Sequence, residues 1–498
     1  MTIYACRVHE TMEIQRLNNI VMRTSHNDNS FKYDANKLKK ISSCVLALCL
    51  SYTFVSNEVG AQVDIRGINT APNLAGSFGG ASLPRDSEFS EPLDLLNDFY
   101  PSVEVRLENH SNIRRRHDVS ESDTKLIVEP VLAYRTSLGR HEFYAAYSGR
   151  FDRHQDITSE DSDSHNLDAK IGFDVSRRWD IDVFGAIGSA REERGVSGTR
   201  DFLIGVDGDL DINDGRDRIQ YERYGADLIY GQKLNGLKAV LGFERGGSTF
   251  RSSNGDELLA GDRDRDTESI HFDIEYRLAS QTAIFGRIER TTTDFDRSTG
   301  SLDNEQLDWL VGLRVKPTSR LSGVIGYGQS DRDFDDDSIG GFDGNTYYAN
   351  VTYSIAPFST IQFGAARSVE EPGSSDASFF VSELFSVSWD HALTQRLDFG
   401  AYAKAINDDF DNGREDDFFD WGLTLDYALR NWLTLGAYYE EIDRSSNFDG
   451  ISYEDNIIGL RLKSDLRSFF SSRRDKHKVE PSSFKPTSRS QFTNINRQ

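Results

Sequence analysis

The sequence predicts an all-β chain closed into a transmembrane antiparallel β-barrel of the outer-membrane type, with 18 strands. Three observations predict it. Apolar and polar residues alternate with period two from about Tyr100 to Leu466. The connections between the alternating segments are short and long by turns. No apolar run of about 18 residues follows the N-terminal region, so helical membrane spans are not expected.

The alternation is clearest in "SIHFDIEYRLASQTAIFGRIER", Ser269 to Arg290. Ile270, Phe272, Ile274, Tyr276 and Leu278 occupy one face, and His271, Asp273, Glu275 and Arg277 the other. After a short turn the pattern resumes, with Ile284 and Ile288 set against Arg287 and Glu289. "NLDAKIGFDVS", "QLDWLVGLRVK" and "FDWGLTLDY" repeat it. The apolar face is expected to meet lipid and the charged face the lumen. A one-residue slip would carry every charge into lipid, at about 2–4 kcal/mol for each one near the bilayer midplane.

Short connections lie at Ser137–Arg140, Ser176–Arg178, Leu234–Gly236 and Ala279–Thr282. Four more are Lys316–Arg320, Ala356–Ser359, His391–Gln395 and Ala428–Asn431. Longer acidic loops separate them, among them "DSIGGFDGN" and "NDDFDNGREDD" (Asn407 to Asp417), which makes nine long loops and an even strand count. With the short turns in the periplasm, Trp179, Trp389 and Trp432 fall at periplasmic strand ends, and Trp309 and Trp421 nearer the outer ends. These five are the expected aromatic girdles.

Composition agrees. The 498-residue chain has 31 Phe and 20 Tyr but only 10 Pro, a mix that suits long uninterrupted strands. Its net charge of −24 argues against a nucleic-acid partner. A soluble propeller would show a repeat of roughly 40–50 residues, which the irregular loops do not.

Residues 1–61 read as an N-terminal extension plus signal peptide. "KLKK" (Lys37 to Lys40) precedes the apolar Ile41–Val55, and "VGA" (Val59 to Ala61) offers cleavage after Ala61. Met22 would give a more ordinary signal length as the true start. All three cysteines (Cys6, Cys44, Cys49) precede Ala61, so the exported chain is expected to hold no disulfide. Residues 62–99 read as a flexible periplasmic leader, 100–470 as the barrel with Phe470 as its closing aromatic, and 471–498 as a basic, disordered tail. The expected location is the outer membrane of a Gram-negative bacterium.

"YPSVEVRLENHSNIRRR" (Tyr100 to Arg116) opens the barrel. "SDTKLIVEPVLAYRTSLGRHEFYAAYSGRFDR" (Ser122 to Arg153), with its Pro130 and its "GRH" turn, follows, and then "HNLDAKIGFDVSRRWDIDVFGAIGSAREERG" (His165 to Gly195). From Tyr100 to Gly195 the chain resembles the putative β-barrel porin 2 family of outer-membrane proteins. The resemblance implies a link to exopolysaccharide or capsule production, and it brings no catalytic residues. The chain departs from the common barrel pattern in running on past its last strand.

Register assigns the lumen-lining candidates. They are Asp180 and Asp182, then His271, Asp273, Glu275 and Arg277, then Arg287, Glu289 and Arg314, and finally Asp398, Lys404, Asp426 and Arg461. So many charges require water or ion pairing. Tyr144, Phe285, Tyr348, Tyr402 and Tyr438 share the inward register. Rings beside carboxylates suit sugars, whose apolar face stacks while hydroxyls bond to acids, so these five are the sugar-stacking candidates.

No resident cofactor is expected. "DGDLDIND" places Asp207, Asp209, Asp211 and Asn213 in alternation like a calcium loop, but the sixth-position Gly and the closing Glu are missing, so no metal is assigned. Calcium or magnesium bridging to lipopolysaccharide is a separate expectation for the acidic loops. The connection from about Ala190 to Asp217, with its apolar "FLIGV", either folds inward as a constriction or adds a hairpin above the membrane. Enzyme motifs (GxSxG, HExxH, a GK phosphate loop) are absent, while His154 and His165 lie among Asp152, Asp156 and Asp161, a spacing open to a dyad but common by chance in so acidic a chain. No enzymatic activity is expected.

The expected function is a channel taking part in export or assembly of a surface exopolysaccharide, in contact with lipid, lipopolysaccharide, the polysaccharide and periplasmic export machinery. A general or solute-selective diffusion porin is the alternative, and a structural lipopolysaccharide-binding barrel the third reading. Oligomeric state is not legible, since single barrels and trimers share this pattern.

Overall fold

The computed structural model describes residues 98–198, 202–204, 210–212, 216–231, 236–252, 261–296, 302–373 and 377–466. The expected signal peptide, nearly all of the leader, Phe470 and the basic tail lie outside the described residues, as do Asp207, Asp209 and Asn213. Of Asp211 only its place in a short strand is described.

Alternation becomes strands because a pleated backbone points successive side chains to opposite faces. The first are β1 (Asp98–His110), β2 (Asp123–Leu138), β3 (His141–His154), β4 (Ser162–Asp174) and β5 (Trp179–Arg191). A separate hairpin, β6 (Phe202–Ile204) with β7 (Leu210–Ile212), follows. The ring continues with β8 (Arg218–Tyr230), β9 (Leu237–Arg251), β10 (Arg265–Ala279), β11 (Thr282–Phe295), β12 (Asn304–Val315) and β13 (Leu321–Phe334). It ends with β14 (Phe342–Ala356), β15 (Ser359–Glu370), β16 (Phe380–Ala392), β17 (Leu397–Phe410), β18 (Glu415–Arg430), β19 (Leu433–Ser446) and β20 (Tyr453–Asp465).

Each barrel strand pairs antiparallel with the next, β5 passes directly to β8, and β20 returns to β1 with Leu107 opposite Leu460. The sheet has 18 strands and no edge, the condition for a sheet to span lipid. Register follows from the two faces. On β10, the five residues Ile270, Phe272, Ile274, Tyr276 and Leu278 are 40–57% exposed, while His271 and Asp273 are 6% and 4% exposed. The outer face is an apolar belt and the inner face is polar, the reverse of a soluble fold.

Two loop expectations are corrected. "NDDFDNGREDD" is mostly strand: β17 runs to Phe410 and β18 starts at Glu415, joined by a tight turn with Gly413 at φ 85°. Only a residue without Cβ takes that dihedral without strain. The loop expected at "DSIGGFDGN" likewise ends early, because β14 begins at Phe342. Acidic character misled here, since the barrel carries its alternation past the lipid belt into water, where carboxylates are as welcome on strands as in loops.

The tryptophans take up outward or turn positions. Trp179 opens β5 and packs edge-on against Tyr230 at 5.0 Å, and Trp389 lies near the short-turn end of β16, 5.6 Å from Phe399. Trp432 occupies the β18–β19 turn. Trp309 and Trp421 face outward nearer the long-loop ends, with Trp421 packed 5.3 Å from Tyr439.

Candidate functional site

The inward face of the ring is the candidate site. On β5, Asp180 and Asp182 are buried, and Lys170 of β4 reaches Asp182 at 2.8 Å. Across β10 and β11, Arg287 lies 3.7 Å from Asp273 and donates to Glu289 at 2.9 Å. His271 stands 3.5 Å from Asp227 and 3.8 Å from Asp273. Glu275 pairs with Arg314 at 3.1 Å, two strands away. Lys404 reaches Asp420 at 2.5 Å, and Arg461 donates its Nε proton to Asp426 at 2.8 Å. Arg277 and Asp398 also hold inward register and sit exposed at the short-turn rim, with Asp398 directly across the ladder from Asp426.

A larger network joins the two ends of the chain across the closing seam. Arg106 donates to Glu129 at 2.8 Å and lies 3.4 Å from Glu108, which Lys125 approaches at 3.3 Å. Arg150 donates to Asp152 at 2.9 Å, and His110 contacts Asp455 through Nδ1 at 2.7 Å. None of these was among the sequence candidates, although Glu104, Arg106, Glu108 and His110 follow the same period-two rule in "VEVRLENH". Buried pairs of this kind add little net stability, but losing one partner costs about 3–5 kcal/mol. They hold long side chains against the wall.

The aromatic candidates divide. Phe285 is 4% exposed, clustered with Leu310 and Val324, and Tyr348 packs on that cluster. Phe285 therefore offers no ring face to a sugar, and Tyr348 serves first as packing. The reason is that Leu310 and Val324 also face inward, so an apolar patch forms where the alternation suggested only polar neighbours. Tyr438 donates to Glu108 at 2.5 Å, and Tyr402 donates to Glu440. Their rings lie over Gly459 and Gly422 of the adjacent strands, where a Cβ would collide with them. Tyr144 is half-buried on β3. The imidazoles find other partners than Asp152, Asp156 and Asp161, which spacing had suggested: His154 lies 3.2 Å from Asp123, and His165 stacks with Tyr147.

The long connection after β5 enters the ring. Glu192 pairs with Arg263, whose guanidinium also lies 3.5 Å from Asp217. Arg194 donates to Glu160 at 2.8 Å, and Arg115 donates to the Arg194 carbonyl at 2.6 Å. Tyr453 of β20 donates to the Gly195 carbonyl at 2.9 Å. Gly195 has φ 77°, and a Cβ there would meet the Tyr453 hydroxyl at 2.5 Å, so both dihedral and space demand glycine. Ser197 reaches Asp416 of β18 at 3.5 Å, and its carbonyl accepts from Gly373 at 3.1 Å. Gly373 lies between β15 and β16, the eighth and ninth barrel strands beyond β5 in a ring of eighteen. Residues 192–198 are thus a strap across the mouth at the long-loop end. At its anchor, burial opposes the Glu160 charge, but the Arg194 bond and the charges of Arg194, Arg216 and Arg114 hold its carboxyl below the usual glutamate range.

A closed antiparallel ring with an apolar outer belt, a charged inner wall and a strapped mouth defines an outer-membrane β-barrel of the porin kind. The chain belongs to the family described as putative beta-barrel porin 2, whose match spans residues 99–466. No curated protein matches it. Among solved structures it is similar to Pseudomonas aeruginosa OccK2 (OpdF), at 14% identity and a TM-score of 0.42, covering 74% of this chain and 98% of that one. Similarity to P. aeruginosa OccK3 (OpdO) is at 15% identity and 0.41, covering 74% and 96%. The siderophore receptor PirA of Acinetobacter baumannii is matched at 7% identity and 0.39, covering 75% and 81%.

Proposed function

We propose that the barrel is an outer-membrane channel whose cargo is saccharide, exported as a surface polysaccharide with periplasmic machinery as partner. The observation that carries the reading is the pair Tyr438 and Tyr402. Each ring is laid against a glycine on the wall, with its hydroxyl held by a glutamate, and each remains half-exposed toward the lumen. A ring fixed in this way presents its free face at no further entropy cost, next to acids that accept from hydroxyls.

A diffusion channel for small hydrophilic solutes is the second reading. The strap favours it, because a polymer would have to displace residues 192–198 whereas a small solute can pass beside them. Planar-bilayer recording of the purified full chain decides between them. Stable conductance blocked by the host's own surface polysaccharide supports export. Conductance indifferent to that polymer but blocked by oligosaccharides supports the diffusion reading. A folded barrel that passes no ions rejects both.

A further inference from the structure

We infer that the permeation path runs against one uncharged sector of the wall, β14 to β16, and that its solute is neutral and polyhydroxylated. The inference deepens the saccharide reading above and rests on it. Inward register on these strands places Asn350, Thr352 and Ser354 on β14, Thr360 and Gln362 on β15, and Ser386 on β16. The first inward charges on the three strands lie at their ends, Glu370 toward the long loops and Asp390 toward the short turns. β13 is likewise uncharged inward from Ser322 to Ser330, whereas charged pairs line the wall elsewhere, from Asp182 and Lys170 to Arg287 and Arg461.

Two further observations point the same way. Asn350, Thr352, Ser354, Thr360, Gln362 and Ser386 are partly exposed, although Thr346, Leu384 and Ser388 on the same face are buried, whereas Glu289, Asp273 and Arg287 are 1%, 4% and 8% exposed. Open space therefore lies against β14 to β16, where the side chains are short. In addition, Asn350, Thr352, Thr360 and Ser386 enter none of the side-chain hydrogen bonds or ion pairs that tie the charged walls among the described residues. Their donors and acceptors are left for whatever occupies the lumen.

Amides and hydroxyls both donate and accept, as sugar hydroxyls do, so they can replace a sugar's water partners one for one. An ion gains less from this wall than from the charged one. A neutral polyol thus travels along β14 to β16, with Tyr402 and Tyr438 on the neighbouring side of the ring.

The test is raffinose influx by liposome swelling, with potassium chloride conductance measured on the same full-length protein. Folding is checked by heat-modifiable electrophoretic mobility. Asn350→Arg and Ser386→Arg should each cut raffinose influx about tenfold, while Ser148→Arg, inward on β3 across the ring, should change it by about twofold or less. Equal losses at all three positions, or none at Asn350 and Ser386, would overturn the inference and leave the channel reading standing. If the arginine variants do not fold, Ser386→Cys is made in a chain with Cys6, Cys44 and Cys49 replaced by Ser. A cationic thiol reagent should then block raffinose influx, and an unreactive or unblocked channel overturns the assignment. A wild-type barrel that admits neither salt nor sugar overturns the channel reading and the inference with it.

Discussion

Replacing Ile274 with Arg tests the placement of the whole barrel in lipid. Ile274 is the middle of five outward apolar residues on β10, from Ile270 to Leu278, and is 40% exposed on the outer face. Nine residues at about 3.4 Å each, tilted by about 40°, rise roughly 23 Å, close to the apolar band of a bacterial barrel. Ile274 therefore sits about 11 Å from either interface, and Ile274→Arg should destabilise the barrel by about 2–4 kcal/mol. Beyond the belt, Glu268 and Asp266 already face outward, and Arg245 pairs with both, at 2.9 and 3.3 Å. Thr292→Arg, at the same outer level on β11, should accordingly cost no more than about 1 kcal/mol. Reversible urea unfolding in phospholipid vesicles measures both. Equal costs at Ile274 and Thr292 would refute the depth assignment, and with it the reading of β10 as a membrane strand.

Other expectations follow from the lumen and the strap. Arg287→Met leaves Asp273 and Glu289 without their shared cation and should destabilise the barrel by about 3–5 kcal/mol in the same unfolding assay. Tyr453→Phe removes the hydroxyl that holds the Gly195 carbonyl, an interaction worth about 1 kcal/mol. Single-channel records of that variant should show larger or more frequent conductance steps, and an unchanged record would mean the strap does not limit flow. Glu160 has a lowered folded pKa, so its contribution is present above the ordinary glutamate range and is lost as pH falls through the lower folded value. Strap opening should be rare at pH about 7 and grow frequent as pH falls below the ordinary glutamate range, with Glu160→Gln showing the acid behaviour already at neutrality. Tyr402→Ala and Tyr438→Ala should each weaken sugar-dependent block of conductance. Unchanged block in both would remove the tyrosines from the sugar path.

The barrel itself was legible because lipid on one side and water on the other impose period two on every strand, and His271, Asp273 and Glu275 could be assigned a face from spacing alone. The seam network obeys the same rule, with Glu104, Arg106 and Glu108 on the inward register of β1. Phe285 shows where the rule stops: alternation says which face a side chain takes, not whether its neighbours on other strands are charged or apolar. Leu310 and Val324 are 25 and 39 residues away in the chain and meet it only through pairing.

By itself, then, the sequence determined the strand number, the sense of each face and the sides on which short turns and long loops lie, since these follow from local periodicity and turn length. Only the tertiary structure decided which charges pair, which aromatics are packed away, and that residues 192–198 cross the mouth to Gly373 on the far side. Those facts depend on which strands the closed ring sets side by side or face to face, and contacts between residues so far apart in the chain leave no periodic trace in it.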